Sequence, residues 1–154
     1  EGGVVQGHFA ITRCGGVVYA ENHAVGRRYV TGWYDDPPAA RDDVDPPTFA
    51  RLYTHEANHH PDGGQIFIAR DRRPFVALLA KPTDDVRPED FVAFWCDGSR
   101  GLHVDPEVWH QPVFPVFDGG RVEALFDDKQ GRVHACVSVD FVGEFGVYVE
   151  VPLG

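Results

Sequence analysis

Two short segments hold most of the side chains in this chain that could carry chemistry: His55-Glu56-Ala57-Asn58-His59-His60-Pro61-Asp62-Gly63-Gly64-Gln65 and Val108-Trp109-His110-Gln111-Pro112. Histidine changes charge near neutral pH, so imidazoles brought together from two segments suit proton transfer. The first segment supports two incompatible readings. His55-Glu56-Ala57-Asn58-His59 fits H-E-x-x-H, in which a helix presents two imidazoles to zinc and the glutamate acts as base. His60-Pro61-Asp62-Gly63-Gly64-Gln65, followed by Ile66-Phe67-Ile68, instead reads as a turn feeding a strand, with His60 and Gln65 facing into a small β-barrel.

The elements that must position these residues decide between the readings. Most apolar segments are short, rich in Val, Phe and Ile, and bounded by Gly, Pro, Asn or Asp. Strands are expected near Val4–Ile11, Gly16–Ala20, Gln65–Ala69, Pro74–Ala80, Phe91–Cys96, Val113–Phe117, Arg121–Phe126, Val133–Phe141 and Val147–Val151. Turns are expected at Asp71-Arg72-Arg73, Asp118-Gly119-Gly120 and Asp128-Lys129-Gln130-Gly131, and a loop over Asp35–Pro47. One stretch has helical spacing: Thr48 as cap, then Phe49, Leu52, Tyr53 and Ala57, stopped by Pro61-Asp62-Gly63-Gly64. Many short strands imply an all-β barrel, one domain over residues 1–154, with one or two short helices. Such a chain leaves little room for the helical scaffold and third ligand of a zinc protease. The turn-and-strand reading is therefore preferred.

Bulk properties exclude other classes. A formal net charge of −10 argues against nucleic acid and anionic membrane, which are held by clustered Lys and Arg. The carboxylates gather at Asp42-Asp43, Asp84-Asp85 and Asp127-Asp128, read as solvated loops. No apolar run approaches the roughly 20 residues of a membrane helix. Cys14, Cys96 and Cys136 are far apart and odd in number, which suits reduced, buried thiols in a reducing compartment, the cytoplasm or an organelle matrix. The chain has no methionine, even at position 1, so a processed start with a removed targeting peptide is expected.

A second constellation supports the barrel. Gly101-Leu102-His103-Val104-Asp105-Pro106-Glu107-Val108-Trp109-His110 sets a glycine, a proline turn and a terminal histidine before the next apolar strand. Small cupin barrels are built similarly, with a polar cluster from an early hairpin and a histidine from a later strand. The run His60–Ile68, then Arg73–Ala80, resembles the central motif of the ureidoglycolate lyase family, and Val108–Pro112 resembles its Val-Trp-His-His-Pro signature. Glu21-Asn22-His23 and Arg28-Tyr29 are similar to its N-terminal segment. The resemblance covers roughly residues 20–128. It implies a cupin-type β-barrel (a double-stranded β-helix), a homodimer, and an enzyme that splits a small carboxylate, ureidoglycolate, into glyoxylate and urea. It implies no cofactor.

That C–N cleavage needs a proton taken from a hydroxyl and one delivered to the departing nitrogen. His60 and His110 are the candidate acid–base pair, with Gln65, Asn22 and Asp105 as substrate-binding residues. The departures from the family pattern are specific. Asn58-His59 stand where the family has Glu-Arg, Asp105-Pro106 where it has His-Arg, Gln111 at the second His of the signature, and Asp127-Asp128 at an Asp-Arg pair. A bidentate Arg for the substrate carboxylate must then come from Arg27, Arg28, Arg51 or Arg100. The same departures raise a second expectation, a non-catalytic barrel serving as accessory subunit of a larger protein assembly. A third, ranked lowest, is a divalent ion held by His60, His103, Asp105 and His110, with Gln65 a poor ligand.

Overall fold

The structure is a computed structural model and describes residues 5–14, 17–22, 29–34, 51–117, 123–130 and 135–154. Its strands are, in chain order, β1 Val5–Cys14, β2 Val17–Asn22, β3 Tyr29–Tyr34, β4 Arg51–Thr54, β5 Glu56–His59, β6 Gln65–Ala69, β7 Phe75–Ala80, β8 Val92–Cys96, β9 Leu102–Val104, β10 Trp109–His110, β11 Phe114–Pro115, β12 Glu123–Gln130, β13 Val137–Asp140 and β14 Val149–Pro152. One sheet runs β14-β4-β3-β2-β1-β12-β6-β9; the other runs β11-β7-β10-β5-β13, with β8 on the outer side of β7. Among the described residues every strand pairing is antiparallel, and the fold is all-β and cupin-type.

The core lies between the sheets. Its buried residues include Leu52, Phe67, Val104, Phe126 and Val151 of one sheet and Ala57, Phe75, Leu78, Trp109 and Phe114 of the other. Phe75 and Phe126 meet edge-to-face across it at 5.7 Å. β7 is buried at Phe75, Val76, Ala77 and Leu78 in succession, on both its faces. A continuous apolar run of this kind marks a strand covered on both sides, and β6, buried at Gln65, Phe67 and Ala69, shows the alternating pattern instead.

Several sequence expectations are corrected. The helix proposed from Thr48 to Ala57 is strand where described: β4 and β5 replace it, with Leu52 and Thr54 buried and Tyr53 between them only half-buried. The same residues fit both periods, and cross-strand pairing of β4 with β14 and of β5 with β10 and β13 selects the period of two. The H-E-x-x-H helix therefore does not form. A short helix, α1, spans Phe141–Phe145, of which only Phe141 falls within the strand expected over Val133–Phe141. Asp140 caps it by accepting from the Val142 and Gly143 backbone N–H groups, and the Asp140 N–H donates to Glu144. Gly146, at φ 71°, ends it in the left-handed conformation. Asp127-Asp128 is not a loop: both lie in β12, opposite Ile68 and Phe67, and Asp127 Oδ1 accepts from both Nε and Nη2 of Arg70, at 2.7 and 2.6 Å. Of the turn expected at 128–131, Asp128, Lys129 and Gln130 lie in β12, and Gly131 is outside the described residues. Nor are the two described thiols deeply buried: Cys96 is partly exposed and Cys136 exposed, while the Cys14 side chain is outside the described residues. Among the described residues no helix is long and apolar enough to cross a membrane.

Candidate active site

His110 and Gln65 belong to different sheets. His110 ends β10, held between Leu79 of β7 and Asn58 of β5, while Gln65 opens β6 between Gln130 of β12 and Val104 of β9. Both side chains are buried, at 3% and 4% exposure. His110 Nε2 lies 2.9 Å from Gln65 Oε1, and its Nδ1 lies 2.8 Å from the Val108 carbonyl oxygen. A polar pair thus bridges the interior, 45 residues apart in sequence.

Burial pushes the His110 pKa down to about 4, against a weaker upward pull from the Val108 carbonyl, and the neighbouring His60 and His59 push it further down. His110 is therefore neutral at pH 7 and carries one N–H. The Val108 carbonyl can only accept, so the proton sits on Nδ1, and Nε2 presents a lone pair towards Gln65. An amide oxygen facing that lone pair suits only the imidazolium. For the neutral ring the Gln65 amide turns by half a revolution and offers its NH2 group at the same point. Proton uptake at Nε2 and the orientation of Gln65 are then coupled.

His60 completes the group. Its ring stands edge-on to His110 at 5.5 Å between centroids, and its Nδ1 lies 3.2 Å from the Ala135 carbonyl oxygen. Burial lowers its pKa, partly offset by the Ala135 carbonyl and by Asp62, while His59 lowers it further. His60 is half-buried, so of the two imidazoles it is the one within reach of solvent. Its backbone carbonyl accepts from the Glu107 N–H at 2.9 Å, which fixes the Pro61–Gly64 turn against the loop that leads into β10.

The remaining sequence candidates separate. Asp105 is exposed at 75% of its side chain and pairs with His103 at 3.2 Å, so both face solvent. The structure does not bring them to the His60–His110 group, and among the described residues no three His, Cys, Asp or Glu side chains gather to hold a metal. Asn22 lies in β2 opposite Phe9 and Tyr29, but its side chain is outside the described residues. Arg27 and Arg28 are also outside them. Arg51 lies 3.6 Å from Glu150, and Arg100 lines a groove with Trp95, Cys96 and Leu102.

Three residues near the site have roles the motifs did not reveal. Trp109 Nε1 donates to the Thr83 carbonyl at 2.9 Å, tying β10 to the β7–β8 connector. His59 stacks edge-on against Trp109 at 4.4 Å, and its buried Nδ1 has no hydrogen-bond partner among the described residues. Gln111 is buried and donates through Nε2 to the Glu56 carbonyl at 2.6 Å. Pro112, which follows, has no N–H to offer, and the Gln111 side chain donates to the neighbouring strand. Proline after a buried Gln is the signal in the sequence that points to this role. Beside Trp109 and His59, a cavity of about 470 Å³ is lined by Asp84, Asp85, Glu107 and Glu144. Its carboxylates make it a poor place for an anion.

A cupin-type barrel whose two sheets are joined by a buried His–Gln pair, with a second histidine at its edge, defines the class. The Ureidoglycolate lyase family model matches residues 47–145, and the chain belongs to that family. It is 35% identical over 85 residues to the ureidoglycolate lyase of Azotobacter vinelandii, covering 55% of this chain and 49% of that protein. To the ureidoglycolate lyase of Salmonella enteritidis it is 31% identical over 68 residues, 44% of this chain and 42% of that protein. The match thus spans about half the length of these curated relatives.

Proposed function

We propose that the chain is a C–N lyase acting on ureidoglycolate or a similar small 2-hydroxy acid amide. The observation that carries this reading is the convergence of His60 and His110, rings 5.5 Å apart, with Gln65 bonded to His110, in a chain of the ureidoglycolate lyase family. In the reaction the substrate hydroxyl loses its proton, its oxygen forms the carbonyl of glyoxylate, and the C–N electron pair leaves with nitrogen. Nitrogen then takes up a proton and departs as urea. A neutral imidazole near the surface can take the first proton and return it to the nitrogen, which is the role of His60. His110 acts behind it, exchanging a proton at Nε2 as the Gln65 amide turns.

The substrate carboxylate requires a counter-charge. The cavity beside Trp109 cannot provide one, because Asp84, Asp85, Glu107 and Glu144 line it. Arg27 and Arg28 are the residues this reading assigns to the carboxylate.

Purified protein incubated with ureidoglycolate should release urea faster than the spontaneous breakdown of the substrate. His60→Ala and His110→Ala should each lower the rate by about 10²- to 10⁴-fold, the loss expected when acid–base catalysis is removed. Urea release equal to the no-protein control favours the accessory-subunit reading instead.

A further inference from the structure

The chain leaves β7 at Ala80 and returns beside it as β8 from Val92. Val92 pairs with Leu79 and Phe94 with Ala77, so Val92 and Phe94, two residues apart, share one face of β8. Both are apolar and stand in water, exposed at 53% and 49%. With Leu79, Ala80, Pro82 and Val108 they form the apolar wall of a cavity of about 450 Å³, a size that suits a small molecule. None of His60, His110 and Gln65 lines it. Leu79 lies between Val92 and His110 in the register, so the cavity adjoins the catalytic group without including it.

The polar lining is sparse: one cation, Lys81, one anion, Asp90, and the hydroxyl-bearing Thr83. The Lys81 side chain makes no ion pair or hydrogen bond among the described residues. Asp90 closes the short turn Pro88–Asp90, where its Oδ2 accepts from the Arg87 N–H at 2.8 Å, and its Oδ1 has no partner among the described residues. Two opposite charges thus wall one cavity without pairing with each other. A carboxylate alone would satisfy Lys81 but face Asp90, and an amine alone would do the reverse. A molecule carrying both charges at one end and a hydrocarbon group at the other matches all three parts of the lining. We infer that this cavity binds a free α-amino acid with a large apolar side chain, its carboxylate at Lys81, its ammonium at Asp90 and its side chain on Val92 and Phe94. That side chain covers apolar surface otherwise left in water. The Thr83 hydroxyl accepts from the Asp85 N–H at 3.3 Å and keeps its own proton to donate to the ligand carboxylate. The site does not depend on the lyase reading, and its test does not use activity.

Calorimetric titration of the full chain with L-leucine and with L-phenylalanine should show one site per chain with a Kd below about 1 mM. Isocaproate, which is leucine without its ammonium, and isoamylamine, which is leucine without its carboxylate, should each bind at least about tenfold more weakly than leucine. Glycine, which offers both charges and no side chain, should show no binding. Lys81→Gln and Asp90→Asn should each weaken leucine about tenfold, and the asparagine keeps an acceptor for the Arg87 N–H, so the turn is retained. Phe94→Ser should weaken leucine as much, with far-UV circular dichroism unchanged. No binding of either amino acid up to about 10 mM overturns the proposal. So does isocaproate or isoamylamine binding as tightly as leucine, or a folded Phe94→Ser with unchanged affinity. If Phe94→Ser does not fold, the two charge variants at exposed positions decide: unchanged leucine affinity in both overturns it.

Discussion

The bond between His110 and Gln65, 2.9 Å long and buried on both sides, joins the two sheets of the barrel and holds the most strongly perturbed histidine among the described residues. Its energetics govern how the protein responds to acid. His110 has a folded-state pKa of about 4 against an ordinary 6.5, so the unfolded chain binds the proton more tightly than the folded one. The neutral form's contribution is complete above about pH 6.5 and is lost as pH falls towards 4. By linkage that loss is about 3 kcal/mol, and the lowered His60 pKa adds to it in the same direction. Thermal melts between pH 7.5 and 4.5 should show a falling Tm, and His110→Asn should flatten the slope.

Gln65 is expected to be worth more than its size. Gln65→Leu keeps approximate volume but leaves His110 Nε2 buried without its partner, which costs about 1–3 kcal/mol. Gln65→Glu places a carboxylate at the same point and should raise the His110 pKa, visible as a shifted imidazole titration by NMR. An unshifted titration in a folded Gln65→Glu protein would show that the two side chains do not meet.

The Glu56 carbonyl accepts from both Gln111 Nε2, at 2.6 Å, and Thr54 Oγ1, at 2.9 Å. Either donor alone can satisfy it. Gln111→Leu and Thr54→Val should therefore each cost about 1 kcal/mol, and the double variant more than their sum, because only then is the carbonyl orphaned. Strict additivity in urea denaturation would contradict the shared acceptor.

Gly64 has no space for a side chain. A Cβ there would lie 2.8 Å from His103 Nε2 and 2.9 Å from the Val104 carbonyl oxygen. Gly64→Ala should destabilise by about 1–3 kcal/mol. Adding His103→Ala should recover only part of it, since the flexible imidazole leaves but the β9 backbone remains.

Much of this was legible in the sequence, and the failures have local causes. Gln65–Ala69 was read to the residue because Pro61-Asp62-Gly63-Gly64 punctuates it and its apolar residues alternate. The segment 49–57 misled because Leu52, Tyr53 and Ala57 satisfy a helical period while belonging to two short strands, and only pairing with distant β14 and β13 distinguishes the two. β10 and β9, at two and three residues, are too short to carry a period at all. The His60–His110–Gln65 grouping was anticipated through family motifs, and its members converge. The partners that set its chemistry, the Val108 and Ala135 carbonyls, are backbone atoms and leave no mark on residue type. Asp105 shared a motif with His110 but a proline turn directs it outward, where it meets His103.

The central claim is that His60 moves the proton that releases urea. The most direct measurement is urea production from ureidoglycolate by wild type and by His60→Ala and His60→Gln, with each variant's fold checked by circular dichroism. The account predicts release above the spontaneous rate for wild type, a loss of about 10²-fold or more in both variants, and partial rescue of His60→Ala by added imidazole. Wild-type release no faster than the spontaneous reaction, or folded His60 variants as fast as wild type, would contradict it.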